Sequence, residues 1–210
     1  MLTFRSVKER DFEPLVKMAT RSFAQYPLFA GPFRDHFAHS RQYLHFLDKL
    51  QRIQIRTALN HSLGLVGLEN GKVVTAAFVN PVQQRLSVQD YIHNGGLALA
   101  PYLAKVPMMG FLKRLDEAES VVKQKVCDND WFMSFLAVTP EAQGRHFGSE
   151  MINAGIVPEL SKLHGGALAL TTNTLANTHF YEHNQFEVVK HQLLTIGKAK
   201  VDNWGLIREF

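Results

Sequence analysis

One stretch of the sequence, residues 131–163, constrains the fold more than any other. It begins with WFMSFLAV (131–138), which is apolar on both faces, as in a strand at the centre of a sheet. A short loop with Gly144 and Gly148 follows. A helical pattern then buries one apolar stripe, formed by Ile152, Ile156, Leu160 and Leu163. A strand that passes through a tight loop into a helix indicates a protein that mixes strands and helices.

The first eighty residues predict one strand, two helices and a hairpin. The turn-rich stretch YPLFAGPF (26–33) is expected to break the first helix, and Asn70-Gly71 between apolar runs is a strong hairpin signal. The second helix has a buried stripe of Tyr43, Leu47, Leu50 and Ile53. The predicted elements are a strand at 2–7, a helix from Phe12, a helix at 40–60, and strands at 63–69 and 72–79.

The remaining chain predicts further alternation of strands and helices. Residues 82–128 are irregular and predict one or two inserted helices without a core of their own. After the central strand and helix, ALALTT (167–172) predicts a strand, residues 175–184 a short helix, and the C-terminal residues two strands. The order is β-α-α-β-β-(helical insert)-β-α-β-α-β-β, typical of an α/β or α+β domain.

Length and charge set limits on the class of protein. A chain of 210 residues, 46% hydrophobic, predicts one domain over 1–210. No apolar run in it is long enough to cross a membrane, and its charged N-terminus is unlike a signal peptide. It also contains a single cysteine, so we expect a soluble cytoplasmic protein. Residues 1–56 hold ten Lys/Arg against five Asp/Glu, but scattered among apolar residues, which favours solvated helix faces over nucleic-acid binding.

The loop between strand and helix predicts an anion site. The first turn of a helix has N–H groups without internal partners, and the helix dipole adds positive potential there. Gly144 and Gly148 allow close approach of the backbone, and Arg145 adds a cation. A phosphate or pyrophosphate is the natural ligand, although an ordinary helix start has a similar sequence. The spacing matches neither the Walker motif nor the dinucleotide fingerprint.

Two segments together resemble a known family. FLAVTPEAQGRHFGSEMI, followed by TTNTLANTHFYEHNQFEVV, is similar to the GNAT superfamily of acyl-CoA-dependent N-acetyltransferases. The resemblance is strongest over 130–190 and weaker over 1–80, and the insert at 82–128 has no clear counterpart. It implies a mixed, mostly antiparallel central sheet flanked by helices, with the insert between the third and fourth strands. It also implies acetyl-CoA as cosubstrate, no metal, a small-molecule or peptide amine as acceptor, and a fold that often forms homodimers.

The resemblance assigns roles to individual residues. The end of the fourth strand matches the backbone that hydrogen-bonds pantetheine, the loop matches the pyrophosphate site, and Asn177 matches an asparagine that contacts pantetheine. Tyr181 matches the tyrosine that protonates the departing thiolate, and a phenol is protonated at neutral pH. The residues implied in CoA binding are Leu136, Ala137, Val138, Gln143, Gly144, Arg145, His146, Phe147, Gly148, Ser149 and Asn177.

Two positions depart from the family pattern. His146 replaces the first loop glycine. If this position requires positive φ, histidine is among the non-glycine residues that adopt such a conformation. The histidine side chain could nevertheless crowd the phosphates or contact them. Gln185 replaces the glycine after the last helix, and we expect Asn184 to adopt the left-handed conformation there instead. These departures leave open a non-catalytic acyl-CoA-binding protein of the same fold as an alternative to a transferase.

Other residues could contribute chemistry without clear assignment. Asp128, Asp130 and Glu119 are candidates for a general base, but an ordinary surface charge is the better interpretation of any one of them, and none is assigned. His179 and His183, four residues apart on a helix, could face one metal ion, but no third ligand is evident and exposed helix histidines are the better interpretation. The acceptor is expected between the N-terminal helices and the insert, near Phe29, Phe33, Tyr91 and Trp131.

Overall fold

The computed structural model describes residues 2–84 and 87–210. The strands are β1 (Thr3–Ser6), β2 (Leu63–Glu69), β3 (Lys72–Pro81), β4 (Trp131–Val138), β5 (Ala167–Thr172), β6 (Glu187–Ile196) and β7 (Ala199–Glu209). The helices are α1 (Phe12–Phe23), α2 (Pro27–Phe33), α3 (Ser40–His61), α4 (Val88–His93), α5 (Met108–Lys123), α6 (Phe147–Glu150), α7 (Val157–Lys162) and α8 (Leu175–His183). A π-helical segment, Met151–Ile156, joins α6 to α7.

The strands form one mixed sheet in the order β1-β2-β3-β4-β5-β7-β6. Adjacent strands are antiparallel except β4 and β5, which are parallel. The prediction of a mixed, mostly antiparallel sheet with helices between β3 and β4 is therefore confirmed. WFMSFLAV is β4, and its position in the middle of the sheet explains why it is apolar along its length.

The hairpin of β2 and β3 forms where the sequence predicts it. Asn70 and Gly71 both have positive φ, 51° and 77°, as a two-residue turn between twisted strands requires. The register pairs Glu69 with Lys72 across this turn. The hairpin places β2 along one side of β3, and β4 pairs with the other side of β3.

The stretch 26–33 differs from the prediction. It ends α1 as expected, but it then forms the short helix α2 rather than a turn. Pro27 is the first residue of that helix, where its fixed φ suits the helix and its missing N–H costs nothing. Phe29 and Phe33 are thereby directed into the core.

The helical run after the loop also differs at its end. Ile152, Ile156 and Leu160 are fully buried, as predicted, but Leu163 is 50% exposed. The reason is that α7 ends at Lys162, so Leu163 lies past the last helical turn. The prediction for Leu163 was wrong.

The insert packs on the rest of the chain. It forms α4, a 3-10 segment at Gly96–Tyr102, and α5. Phe111 and Ala118 of α5 share one hydrophobic cluster with Phe33 of α2, Phe46 of α3 and Ile196 of β6. The insert thus covers α2 and α3, while a single domain over residues 1–210 stays a prediction.

Candidate active site

The sheet opens between β4 and β5. These parallel strands pair at only two positions, Trp131 with Leu168 and Phe132 with Ala169. Beyond them β4 continues to Val138, paired with β3 alone. A cavity of about 580 Å³ begins at this opening and extends between α3 and α5. Its wall includes Leu136 of β4, Thr172 at the end of β5, and Asn177 and Tyr181 of α8.

The end of β4 connects the cavity to the glycine-containing loop. Leu136 lines the cavity, while Ala137 is buried in the sheet. The carbonyl oxygen of Val138 accepts hydrogen bonds from the Ser22 hydroxyl (3.1 Å) and the Gln143 side-chain amide (3.2 Å). Gln143 thereby fixes the start of the loop against the end of the strand.

The loop presents a row of free backbone donors. The N–H groups from Gly144 to Ser149 donate no hydrogen bond to any residue in 2–84 or 87–210. Gly144 has φ +77° and its α-carbon faces open space. Gly148 is in close contact instead: a β-carbon there would lie 3.0 Å from the Phe180 ring. The loop therefore packs against α8 on one side and leaves its N–H groups available on another.

His146 adopts the conformation for which glycine is usually selected. Its φ is +61° and its ψ is 11°, in the left-handed region, directly before α6. Histidine is enriched there among non-glycine residues. Its side chain is exposed. His146 thus preserves the backbone path of a glycine at this position.

Arg145 is engaged by an ion pair. Its guanidinium donates to both carboxylate oxygens of Glu69, one of them at 2.9 Å, and lies 4.6 Å from the centre of the Phe147 ring. The pair keeps the pKa of Glu69 below its usual range, through the hydrogen bond first. Both partners are partly exposed, and exposed pairs contribute little stability, so an anion in the loop could compete for the guanidinium.

Helix α8 brings two polar side chains to the cavity. Thr174 caps it, its hydroxyl accepting from the backbone N–H of Asn177 at 3.1 Å. Asn177 and Tyr181 are four residues apart, so both lie on the face that lines the cavity. Burial raises the pKa of Tyr181, and the nearby Tyr26 raises it further. The phenol therefore remains protonated throughout the neutral range.

The end of α8 corrects one expectation. Gln185, not Asn184, has the left-handed conformation, with φ +67°. The N–H of Phe186 donates to the carbonyl of Tyr181 and that of Gln185 to Glu182, the two bonds of a Schellman motif. The motif requires the left-handed residue one position after the cap, and the cap is Asn184.

No family model and no curated protein matches the sequence, but solved structures resemble the fold. A GCN5-related N-acetyltransferase from Rhodopseudomonas palustris aligns with 100% of the chain and 96% of its own, at 12% identity and TM-score 0.59. An acetyltransferase related to histone acetyltransferase HPA2, from Corynebacterium glutamicum, aligns over 97% and 94%, at 17% and 0.59. The PaiA N-acetyltransferase of Thermoplasma acidophilum, in complex with coenzyme A, aligns over 100% and 99%, at 12% and 0.55.

The chain has the GNAT fold. The alignments extend over 97–100% of the chain, so they include β1 to β3, where the sequence resemblance is weak. At 12–17% identity they establish the fold, and the chemistry has to be argued from the residues.

Sequence reasoning missed Tyr26, a second phenol in the cavity wall. Its hydroxyl lies 2.9 Å from the Thr172 hydroxyl and accepts from the backbone N–H of Asn173 at 2.8 Å. Burial raises its pKa. Tyr26 thus ties the start of α2 to the end of β5, a contact between residues 146 positions apart that no local pattern reveals.

The three candidate bases have different surroundings. Asp130 is buried and accepts from the backbone N–H groups of Cys127, Gly166 and Ala167, which is a structural role. Asp128 is exposed in the turn before β4 and is not in the cavity wall. Glu119 does line the cavity, and burial raises the pKa of its carboxyl.

Glu119 lies among further charged and titratable groups. Lys123 donates to it at 2.9 Å and opposes the effect of burial, while Asp116 adds to it. Tyr91 of the insert also lines the cavity, and burial first, then the charges of Glu119 and Asp90, raise the pKa of its phenol to about 12. Of the expected acceptor-wall residues, Phe29 and Tyr91 line the cavity. Phe33 is buried in the cluster with Phe46 and Phe111, and Trp131 packs against a second cluster, and neither is in the cavity wall.

The histidine pair on α8 is not arranged around an ion. The His183 ring nitrogen Nδ1 lies 2.6 Å from the backbone carbonyl of His179, within the same helix. Within residues 2–84 and 87–210, no group of three or more His, Cys, Asp or Glu side chains is placed to hold a metal.

Among the helices in residues 2–84 and 87–210, none combines the length and the apolar character needed to cross a bilayer.

Proposed function

We propose that the protein transfers an acetyl or short acyl group from acyl-CoA to a primary amine. The observation that carries the proposal is the opening between β4 and β5, with free N–H groups at the loop and the Tyr181 hydroxyl in the cavity. This arrangement joins an anion site to an enclosed space that contains a protonated acid.

The proposed CoA site follows the residues implied by the sequence. The pyrophosphate would accept from the N–H groups of Gly144–Ser149, with Arg145 released from Glu69 to pair with it. The pantetheine arm would lie along Leu136–Val138 and contact Asn177, which directs the thioester toward Tyr181. Acyl-CoA supplies the activated acyl carbonyl that the amine attacks.

Two side chains carry the proton transfers in this proposal. The amine forms the new C–N bond as the C–S bond breaks, and Tyr181 donates its proton to the departing sulfur. Glu119, directly or through water, accepts the proton that the amine loses. Tyr181 is protonated at neutral pH already at the ordinary pKa of a phenol, and the raised pKa of Glu119 makes its carboxylate a better base.

Binding of CoA tests the proposal first. CoA and acetyl-CoA at about 100 times Kd should stabilise the fold by about 2.7 kcal/mol, which raises Tm by roughly 5–10 °C for a chain of this size. ATP serves as the control for an unselective phosphate effect. No shift with CoA, acetyl-CoA or longer acyl-CoAs would contradict the proposal. A shift without thiol release across many amines would favour the non-catalytic binding protein.

The loop gives a second test, through two substitutions at His146. His146→Gly should change the stability by no more than about 1 kcal/mol and leave CoA affinity within about threefold, because glycine adopts positive φ freely. His146→Val should lower stability by about 1–3 kcal/mol and weaken CoA at least tenfold, since a β-branched residue is strained there. Thermal unfolding and CoA titration measure both. Loss of CoA binding in His146→Gly would instead assign the contact to the imidazole.

The acceptor amine, the cytoplasmic location and a homodimer remain predictions. The cavity lies between α3 and the insert, which is the region that the sequence predicts for the acceptor. Its volume of about 580 Å³ is within the range of small-molecule pockets.

A further inference from the structure

The cavity wall carries buried polar side chains that lack partners. Gln51 and Thr57 of α3 are each 1% exposed and Asn80 of β3 is 8% exposed. One polar atom of each, Nε2 of Gln51, Oγ1 of Thr57 and Oδ1 of Asn80, has no hydrogen bond to the described chain. All three residues line the cavity, as does Ser62, whose hydroxyl is also unpartnered.

Unpartnered buried polar atoms destabilise a folded protein, so their position is informative. A buried donor or acceptor without a partner has lost its water without compensation. The four residues that carry these atoms all line one cavity. A ligand that supplies hydrogen-bond donors and acceptors to this wall would compensate for their desolvation.

Helix α3 has one face that packs in a hydrophobic cluster and another that lines the cavity. Tyr43, Leu47 and Leu50 belong to the hydrophobic cluster with the insert. The α3 residues in the cavity wall are Gln51, Gln54, Ile55, Thr57 and Ala58, with Ser62 directly after the helix, so this part of the wall is mostly polar. An ordinary helix covering a core would have apolar residues at these inner positions. The amides therefore specify the chemistry of the cavity rather than the packing of the helix.

The opposite wall carries charged and aromatic groups. Asp116, Glu119 and Lys123 of α5 line it, with Lys123 paired to Glu119, together with Tyr91 and Phe29. Carboxylates attract an ammonium group, and aromatic rings provide flat apolar faces. The cavity thus combines groups for a cation, for neutral polar groups and for a ring.

We propose that the acceptor is a small, hydroxyl-rich primary amine of the amino-sugar or aminocyclitol type. Its ammonium group lies against Glu119, its hydroxyls contact Gln51, Thr57 and Asn80, and the ring packs near Tyr91. Hydroxyls fit this wall because each one both donates and accepts, as the amides and hydroxyls of the wall require. This inference rests on the proposed transferase function.

A pair of isosteric substitutions tests the proposal. Gln51→Met and Thr57→Val remove the unpartnered polar atoms and keep the side-chain shape. Wild type should acetylate glucosamine at least about tenfold better, in kcat/KM, than cyclohexylamine, and each variant should lose about tenfold with glucosamine only. Tm should stay equal or rise, because an uncompensated buried group has been removed. Gln42→Met, on the exposed face of α3, is the control and should change neither value.

The outcomes separate this proposal from the transferase proposal. Equal use of both amines by wild type, or equal losses with both amines in the variants, would overturn the hydroxyl-rich acceptor. Preferred use of a peptide N-terminus over glucosamine would overturn it as well. The acetyl-CoA thermal shift, measured on the same samples, should be unchanged in every variant, and its absence in wild type would count against the transferase function itself.

Discussion

Replacing Tyr181 by Phe is expected to lower kcat about 10²- to 10³-fold while acetyl-CoA binding is retained, because a positioned acid contributes this much to proton transfer. The ring remains and keeps its packing against Phe180 and Phe186, so the fold is preserved. Turnover is measured as free thiol released, and binding as the thermal shift with acetyl-CoA.

Tyr43→Phe is the matched control for Tyr181→Phe. Tyr43 is 2% exposed, its hydroxyl is unpartnered within the described chain, and it lies outside the cavity wall. Its replacement should leave kcat unchanged and keep or slightly raise Tm. Full activity of Tyr181→Phe would remove this phenol from the mechanism and leave Tyr26 and Tyr91 as the phenols of the cavity wall to be tested.

Replacing Glu119 by Gln is expected to lower kcat about 10²-fold or more and to change the pH profile. The wild-type carboxylate must be deprotonated to accept a proton, so activity should fall as pH decreases through its pKa. Because burial raises that pKa, the decline should lie above the ordinary range of glutamate. Glu119→Gln should lose this limb of the profile.

Two further variants on α5 test the assignment of Glu119. Lys123 lowers the pKa of Glu119 through its charge and hydrogen bond, so Lys123→Met should move the acidic limb to higher pH. Glu117, on the same helix, pairs with Arg114 at 2.6 Å and is not in the cavity wall, so Glu117→Gln should keep the wild-type profile. An unchanged acidic limb in Glu119→Gln would assign the base to another group.

The parts of the fold that local patterns determine were predictable. The bounds of β2, β4 and β5 agree with the sequence because alternation, an Asn-Gly turn and an all-apolar run are local signals. The segment at 26–33 was misjudged because its prolines and glycine suggested a turn, whereas the packing of Phe29 and Phe33 stabilises a helix. Tertiary contacts outweighed the local signal there.

The candidate site divides in the same way. The loop at 143–149 and the pair Asn177 and Tyr181 lie within short motifs, so the sequence indicated them, although their roles remain proposals. Tyr26 directly precedes α2, while Gln51 lies in α3 and Glu119 in α5, and only the packing of these helices around the open sheet brings the three residues to one cavity. No spacing rule connects residues so far apart along the chain. Gln185 was misjudged because the left-handed position depends on where α8 ends.

A single-turnover experiment tests the central claim most directly. The protein is mixed with acetyl-CoA labelled in the acetyl group and with an amine panel containing glucosamine, cyclohexylamine, a polyamine and a peptide. The account predicts that free CoA thiol appears in equal amounts with an acetylated amine, and that Tyr181→Phe forms neither at a comparable rate. Acetyl-CoA that binds but transfers no label to any amine, or the same rate with and without amine, would contradict it.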